Sequence, residues 1–130
     1  MGEKLNQLSE AIIGAAIAVH RELGPGLLES AYEACLEYEL LDRGYVVERQ
    51  KALPVVYRGV NVDCGFRLDL LIESSVIIEL KAVERLERVH EAQVISYLKL
   101  TGLHLGLLMN FNVTRLVDGI KRFVRDFPSE

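Results

Sequence analysis

The sequence predicts a single α/β domain in which helices flank a mixed β-sheet. Two stretches of apolar residues at helical spacing come first, segments rich in β-branched and aromatic residues follow, and a strand, a helix and a strand occupy 76–109. A strand that reaches a parallel neighbour through a helix does so by a right-handed crossover. A short polar turn at 73–75 adds an antiparallel pair. The 130 residues suffice for one core, and 50% of them are hydrophobic.

The two N-terminal helices are predicted at 3–23 and at about 27–42. Apolar residues recur at helical spacing in both segments. Gly24-Pro25-Gly26 ends the first helix and Gly44 ends the second. His20, close to the end of the first helix, is interpreted as a capping or surface histidine rather than a ligand.

Glu29 lies in the first turn of the second helix and has two interpretations. Free backbone N–H groups and the helix dipole favour an acid there for structural reasons alone, and this is the preferred interpretation of the residue by itself. However, Glu29 shares a helix face with Tyr32 and Leu36. The functional alternative is that Glu29 is a third carboxylate of a metal site.

Strands are expected at 45–49 and 53–57, with an interruption at Gln50-Lys51 and a turn region at 60–65. Pro54 restricts the second of these strands to an edge, or itself to a first strand position. Three cations of this region could form a rim that faces phosphate, although solvated strand residues would look the same: Arg49, Lys51 and Arg58.

The stretch 66–82 is the most informative part of the chain. It reads as two apolar strands joined by a polar turn, with Asp69, Glu79 and Lys81 placed where core residues are expected. Side chains on a strand alternate between faces. Glu79 and Lys81 therefore share one face, opposite to the apolar face of the same strand.

The length of the turn decides whether Asp69 joins them. A loop centred on Ser74 places Asp69 opposite Glu79 and Leu71 opposite Ile77, with the two acidic side chains about 5 Å apart at Cβ. A loop of only two serines would instead send Glu79 to the apolar face, at a considerable cost in free energy. We therefore predict the odd-length turn.

Two carboxylates at this separation stay ionised only if a cation or water screens them. Oxygen ligands suit a hard divalent ion such as magnesium, which keeps positions for water and for substrate phosphate. Lys81 could hold a phosphate oxygen or an attacking water. The arrangement is therefore typical of phosphodiester cleavage, although three residues alone fit a surface hairpin with an ion pair equally well.

The last part of the chain contains a helix that ends before Gly102 and an apolar strand at 103–109 that is long enough to be central. On the helix, Gln93 and Tyr97 are stacked on one face and can hydrogen-bond a phosphate or a metal-bound water. Asp118-Gly119 predicts a hairpin in which 116–117 pairs with 120–124. A terminal helix is the alternative.

Composition limits the partners and the compartment. The net charge is −4, so a polyanion must be met by a local basic patch and bound metal. Cys35 and Cys64 are too few for a disulfide framework, a four-thiolate zinc site or an iron-sulfur cluster. The apolar run 11–19 is too short to span a bilayer, and no signal-peptide pattern is present. We expect a cytoplasmic protein with reduced thiols.

The joint pattern resembles the PD-(D/E)XK nuclease superfamily, whose helix-strand-strand-strand-helix-strand core carries D…ExK on the central hairpin and Q-x-x-x-Y on the next helix. Gly26-Leu27-Leu28-Glu29-Ser30-Ala31-Tyr32 also looks like the signature of the GxxExxY family, which is placed in that superfamily. The likeness covers most of the chain. Leu68 stands where the name of the motif has proline, a departure that the superfamily tolerates.

The resemblance implies a restriction-endonuclease-like core and a role for each matching residue. Asp69, Glu79 and the backbone carbonyl of Leu80 would bind magnesium or manganese, and Glu29 would complete the site. Lys81 would orient or activate the attacking water. The remaining matches would contact the active site or the nucleic acid: Gln93 and Tyr97.

The leading hypothesis is thus a magnesium-dependent nuclease that hydrolyses DNA. The alternative is a non-catalytic module that binds nucleic acid or protein, since a fold alone does not fix a function. An intact set of acids and lysine favours catalysis. A hydrolase of a small phosphorylated metabolite is less well supported, because no glycine-rich phosphate loop is present. A small domain with a shallow metal site could need a homodimer to hold duplex DNA, with the apolar first helix as its contact surface.

Overall fold

The computed structural model describes residues 1–129, which form three α-helices, seven β-strands and one 3₁₀ helix. The helices are α1 (Gly2–Leu23), α2 (Glu29–Asp42) and α3 (Arg88–Thr101). The strands are β1 (Val47–Ala52), β2 (Val55–Tyr57), β3 (Val60–Val62), β4 (Arg67–Ile72), β5 (Val76–Lys81), β6 (Leu105–Asn110) and β7 (Ile120–Val124).

Five strands form the main sheet in the order β1-β4-β5-β6-β7, and β2 pairs with β3 in a separate ribbon. β5 and β6 run parallel, whereas every other neighbouring pair is antiparallel. The α/β class with a mixed sheet is therefore confirmed, and α3 is the crossover of the predicted strand-helix-strand unit. Leu71 lies opposite Ile77, so the odd-length turn centred on Ser74 is confirmed as well.

The sheet is covered on both faces. α1 and α2 bury residues such as Ile12 and Leu36 against Ile78 on one face, and α3 buries Leu98 against Ile77 on the other. The two clusters explain why β5 reads as a nearly unbroken apolar run, since a strand covered on both faces exposes neither. A charged group in the middle of this strand must therefore be buried.

Helix α3 lies close to the sheet because residue 106 of β6 has no side chain. A Cβ atom at Gly106 would lie 2.8 Å from Cγ1 of Val94. This is closer than two carbon atoms can approach without displacement of one of them. The close packing holds the face of α3 that carries Tyr97 against the sheet.

Two predictions about the smaller elements are wrong. Residues 60–65 are not all turn, because Val60–Val62 forms β3 and pairs with β2. The predicted ribbon between 116–117 and 120–124 does not form, nor does the alternative terminal helix. Leu116–Gly119 is a 3₁₀ helix and β7 pairs with β6 instead. Five residues of β6 pair with β7, whereas the segment 116–117 could pair with only two of its residues. The longer pairing explains why β7 joins β6.

His20 is buried, with only 5% of its surface exposed, so its interpretation as a surface or capping residue is wrong. Its Nε2 atom lies 3.1 Å from the carbonyl oxygen of Phe111 and 2.8 Å from that of Val113. These contacts fasten the end of α1 to the loop that follows β6. The histidine therefore stabilises the edge of the sheet at which β5 and β6 both end.

The apolar run 11–19 lies within α1, where Ala15 and Ala16 are fully buried against the domain. Within residues 1–129, no helix is both long enough and apolar enough to cross a membrane. Cys35 and Cys64 are both exposed free thiols.

Candidate active site

Strand β5 positions two of the charged side chains. Val76, Ile78 and Leu80 belong to the core beneath α1 and α2, so Glu79 and Lys81 lie on the opposite face, as the alternation predicts. Glu79 is only 3% exposed, whereas Lys81 is half-buried at the end of the strand. A buried acid and a partly solvated amine thus sit side by side.

Asp69 reaches the same place from β4. Its backbone N–H donates a hydrogen bond to Oε1 of Glu79 over 3.2 Å. Its own Oδ2 accepts one from the backbone N–H of Leu80 over 2.9 Å. Each carboxylate is therefore oriented by the backbone of the other strand. The backbone pairing of β4 with β5 ends at Leu70 and Ile78, so the two acids are joined by these side-chain contacts and not as a pair of the ladder.

Both strands are distorted at this point. Leu70 packs in the cluster beneath α1 and α2, yet Leu68 packs in the cluster beneath α3, so the alternation of side chains breaks at Asp69. On β1, Gln50 lies between the pairs Arg49–Leu70 and Lys51–Leu68 and has φ 52. The expected interruption of the strand at Gln50-Lys51 is thus a local kink, because β1 continues through it.

A left-handed backbone at a non-glycine residue is a strained feature that clusters at functional sites. Here the kink lets the amide of Gln50 donate to Oδ1 of Asp69 over 3.4 Å. The strain and the contact occur at the same residue. The distortion therefore serves to orient Asp69.

The pair of acids is electrostatically costly. Burial raises the pKa of Glu79 from 4.5 to about 9, and the neighbouring charge of Asp69 adds to the effect, while Lys81 opposes it. Two ionised carboxylates in such a place require a compensating cation. The donor set of two adjacent carboxylates suits a hard divalent ion, so these residues fit the metal that the sequence motif implies.

Glu29 approaches this pair from α2. It is exposed in the first turn of the helix, and its pKa is raised by partial burial and by the charges of Asp69 and Glu33, against the opposing charge of Lys81. The side chain therefore lies within electrostatic range of the hairpin residues. Among residues 1–129, however, no three acidic, histidine or cysteine side chains are close enough together to form a metal-binding group.

The loop before Glu29 is fixed by Tyr32. The hydroxyl of Tyr32 donates to the carbonyl of Gly24 over 2.6 Å and accepts from the N–H of Leu27 over 3.1 Å. Its ring is fully buried and stacks on Phe111 at 4.7 Å between centroids. Gly26 takes φ 99 in this loop, a conformation that favours glycine. The glycine and tyrosine thus set where α2 begins, and with it the position of Glu29.

Glu33 is a site residue that the sequence reasoning missed. It is 6% exposed, accepts from Nε of Arg49 over 2.8 Å and accepts from Nε2 of Gln50 over 2.7 Å. Since Gln50 also contacts Asp69, a chain of hydrogen bonds runs from Glu33 on α2 to Asp69 on β4. The sequence signal for Glu33 was that it is an acid one helical turn after Glu29, on the same helix face.

Asn110 is a second missed residue. It lies opposite Lys81 in the parallel pair and is 2% exposed. Its side-chain amide accepts from the N–H of Val83 over 3.1 Å and donates to the carbonyl of the same residue over 2.9 Å. This two-point contact holds the chain just after Lys81, so Asn110 positions the lysine. A polar residue at the end of an otherwise apolar strand was the available signal.

Gln93 and Tyr97 lie on the face of α3 that packs on the sheet. Nε2 of Gln93 donates to the hydroxyl of Tyr97 over 2.9 Å, which leaves the phenolic proton free to donate elsewhere. Burial raises the pKa of Tyr97, and the charge of Glu79 raises it further. The tyrosine is thus in electrostatic contact with the acidic pair, and the glutamine orients it.

Two of the three cations that were expected to face phosphate already have partners. Arg49 pairs with Glu33 at 2.8 Å and with Glu37 at 3.4 Å, and Lys51 pairs with Glu48 at 2.8 Å. Arg49 therefore acts first as a support for Glu33. The contact of either residue with nucleic acid stays a prediction.

Comparison with known proteins agrees with the geometry. The family model of the PD-(D/E)XK nuclease superfamily matches residues 6–123, a range that contains all of the candidate site residues. No curated protein and no solved structure gave a significant match. The match spans nearly the whole chain, and this protein belongs to the PD-(D/E)XK nuclease superfamily.

Proposed function

We propose that this protein is a metal-dependent nuclease of the GxxExxY type that hydrolyses phosphodiester bonds in DNA. The observation that carries the proposal is the convergence of charged groups from three elements. Asp69 and Glu79 orient each other through backbone hydrogen bonds, Lys81 lies beside them, and Glu29 approaches from α2. A surface hairpin with a chance ion pair would not bury Glu79 or distort two strands around Asp69.

In this proposal Asp69 and Glu79 hold Mg²⁺ or Mn²⁺, with help from the carbonyl of Leu80 and from Glu29. The ion would supply positive charge to a phosphoryl oxygen and lower the pKa of a bound water. The fit rests on the buried pair of acids, whose mutual repulsion a divalent cation relieves. Glu29 is the most exposed of the acids, so it can adjust its position when the site fills.

The other side chains act on the water and on the phosphate. Lys81 is adjacent to the acids and half-buried, so its ammonium group can orient the attacking water and stabilise negative charge that develops on the phosphate. Tyr97 has a phenolic proton that the hydrogen bond from Gln93 leaves available. It can donate to a phosphate oxygen on the side of the site that faces α3.

A cleavage assay tests the proposal. Labelled single-stranded, double-stranded and branched DNA, with RNA for comparison, would be incubated with the protein in Mg²⁺ or Mn²⁺ and in a chelator. The variants are Asp69→Ala and Lys81→Ala. Their matched controls are Asp118→Ala and Lys4→Ala, which remove the same charges from exposed positions on the 3₁₀ helix and on α1.

We expect cleavage of at least one DNA substrate that depends on the metal, is lost in both site variants and is kept in both controls. Removal of a group that acts in the transition state typically costs a factor of about 100 or more in rate. Cleavage that survives in Asp69→Ala would contradict the assignment of the site. Binding of nucleic acid or protein without any cleavage would instead favour the non-catalytic module.

A further inference from the structure

The β2–β3 ribbon takes no part in the proposed site. It lies outside the main sheet, in the connection between the kink of β1 and Asp69 on β4. Its side chains are unusually exposed for apolar residues: Val56 at 56%, Tyr57 at 60%, Val60 at 60% and Val62 at 40%. A neighbouring group of exposed apolar residues marks a surface that contacts something else.

The tip of the ribbon combines an aromatic ring with an arginine. Tyr57 pairs with Val60, and the two residues between them have positive φ values, 50 at Arg58 and 77 at Gly59. Two such residues in a two-residue loop are the mark of a type I′ turn, whose first position favours asparagine or aspartate. Arg58 therefore occupies a position whose left-handed backbone conformation disfavours arginine.

The guanidinium group of Arg58 lies over the ring of Tyr57, 5.3 Å from its centroid. Within residues 1–129 it has no carboxylate partner, in contrast to Arg49 and Lys51. Five N–H donors are thus presented to solvent beside an exposed ring. Such donors suit phosphate, and a ring supported by arginine suits a nucleobase.

An aromatic contact connects the ribbon to the active site. Phe66, just before β4, is 43% exposed and lies 6.3 Å from the ring of Tyr97. Its carbonyl accepts from the N–H of Leu53 over 2.9 Å, which closes the base of the ribbon. Tyr97 in turn lies within electrostatic range of Glu79. Phe66 therefore places an exposed ring between the buried Tyr97 and the base of the ribbon.

The segment 51–67, which contains the ribbon, carries a net positive charge, whereas the whole chain is negative. Residues 51–67 contain three cations and a single acid, Asp63, whereas the whole protein carries −4. The cations are Lys51, Arg58 and Arg67. This local excess of positive charge favours a polyanion over most proteins. A second copy of this chain fits less well, because a symmetric contact at the tip would place Arg58 against its equivalent.

We propose that the β2–β3 ribbon, with Tyr57 and Arg58 at its tip and Phe66 at its base, is a platform for unpaired nucleotides next to the cleaved phosphate. This inference rests on the proposed function and specifies its substrate as a single strand or a single-stranded end. The bases stack on the exposed rings, and Arg58 contacts the backbone. Stacking on aromatic rings tolerates any base, so the platform reads strandedness rather than sequence.

Fluorescence anisotropy with a labelled single-stranded oligonucleotide tests this inference. The full chain would be titrated in a chelator, so that no cleavage occurs, over a series of salt concentrations. A duplex of the same sequence is the comparison. The variants are Tyr57→Ser and Arg58→Asn, and the second also suits the type I′ turn better, so a loss of binding cannot come from a poorly folded hairpin.

We expect single-strand affinity to fall on the order of tenfold in Tyr57→Ser, as for loss of one stacked base. In Arg58→Asn the slope of log affinity against log salt should decrease by about 0.7, the value for one phosphate contact on a single strand. Tyr57→Ser should leave that slope unchanged. Duplex affinity should change less in both variants.

Matched controls are Tyr38→Ser, an exposed tyrosine of α2, and Arg125→Gln, whose backbone pairs with His104 at the far end of β6. Both should bind like the native protein. If native protein cleaves DNA but both ribbon variants bind and cleave normally, the platform is overturned and the nuclease stands. If native protein binds no oligonucleotide, or the ribbon variants alter only the oligomeric state, the platform is also overturned.

Discussion

Replacement of Glu79 by glutamine should stabilise the metal-free protein while it removes activity. The carboxyl group is buried beside Asp69, and its pKa is raised to about 9. A glutamine has the same shape, and its Oε1 atom can still accept from the N–H of Asp69 as Glu79 does over 3.2 Å. Its amide can donate to the Asp69 carboxylate, so no buried polar atom loses a partner.

The size of the effect follows from proton linkage. In the unfolded chain the group ionises near 4.5 and in the folded protein near 9, so the folded state holds the extra proton between these values. Each pH unit above 4.5 therefore lowers the free energy of unfolding, by about 1.36 kcal/mol per unit up to pH 9. At pH 7 the native protein should be about 3 kcal/mol less stable than it is at acid pH on account of this group.

Chemical and thermal denaturation in a chelator, at several pH values from 4 to 9, measure the difference in stability between Glu79→Gln and native protein. Glu79→Gln should unfold at higher denaturant than native protein at pH 7, with a melting temperature higher by about 10 °C. The difference should vanish near pH 4, where both side chains are neutral. Glu10→Gln, at an exposed position of α1, is the control and should change neither value. Equal stability of Glu79→Gln and native protein at pH 7 would refute the electrostatic reasoning.

Three further predictions concern the support of the site. Tyr32→Phe keeps the stacked ring but loses both hydrogen bonds of the hydroxyl, so the free energy of unfolding should fall by about 1–2 kcal/mol, and cleavage should weaken because Glu29 is less well placed. Gly106→Ala should cost about 1–3 kcal/mol by calorimetry, since the new Cβ meets α3 at 2.8 Å. Its control Gly14→Ala, where the nearest atom is 3.9 Å away, should be neutral or stabilising. Asn110→Ala frees the chain after Lys81 and should lower the cleavage rate more than the affinity for nucleic acid. Equal loss of rate and affinity would show that Asn110 does not act through the lysine.

The central hairpin was predictable because local rules determine it. Alternation places Glu79 and Lys81 on one face, and the cost of a charge on the apolar face selects the turn length. The strand-helix-strand unit was predictable for the same reason. A helical pattern between the apolar strands β5 and β6 favours parallel pairing of the two strands through a right-handed crossover. The structure confirms both features.

The remaining features depend on contacts between distant parts of the chain. The sequence marked an interruption at Gln50-Lys51, but its form, a kink held by contacts of the Gln50 amide with Glu33 and Asp69, depends on partners far along the chain. In the sequence His20 is a polar residue near the end of a helix, which usually means an exposed side chain. In the structure the loop after β6 covers it. Two segments could pair with β7, namely β6 and residues 116–117. Only the assembled sheet shows that β6 is the longer partner and is free at its edge.

The most direct test of the active site is the initial rate of metal-started cleavage, measured with native protein, Asp69→Ala and Lys81→Ala purified side by side. The account predicts cleavage by native protein only after metal is added, and rates for both variants lower by a factor of about 100 or more. Equal metal-dependent rates in all three preparations would assign the cleavage to a contaminant and contradict the claim that Asp69, Glu79 and Lys81 form a nuclease site.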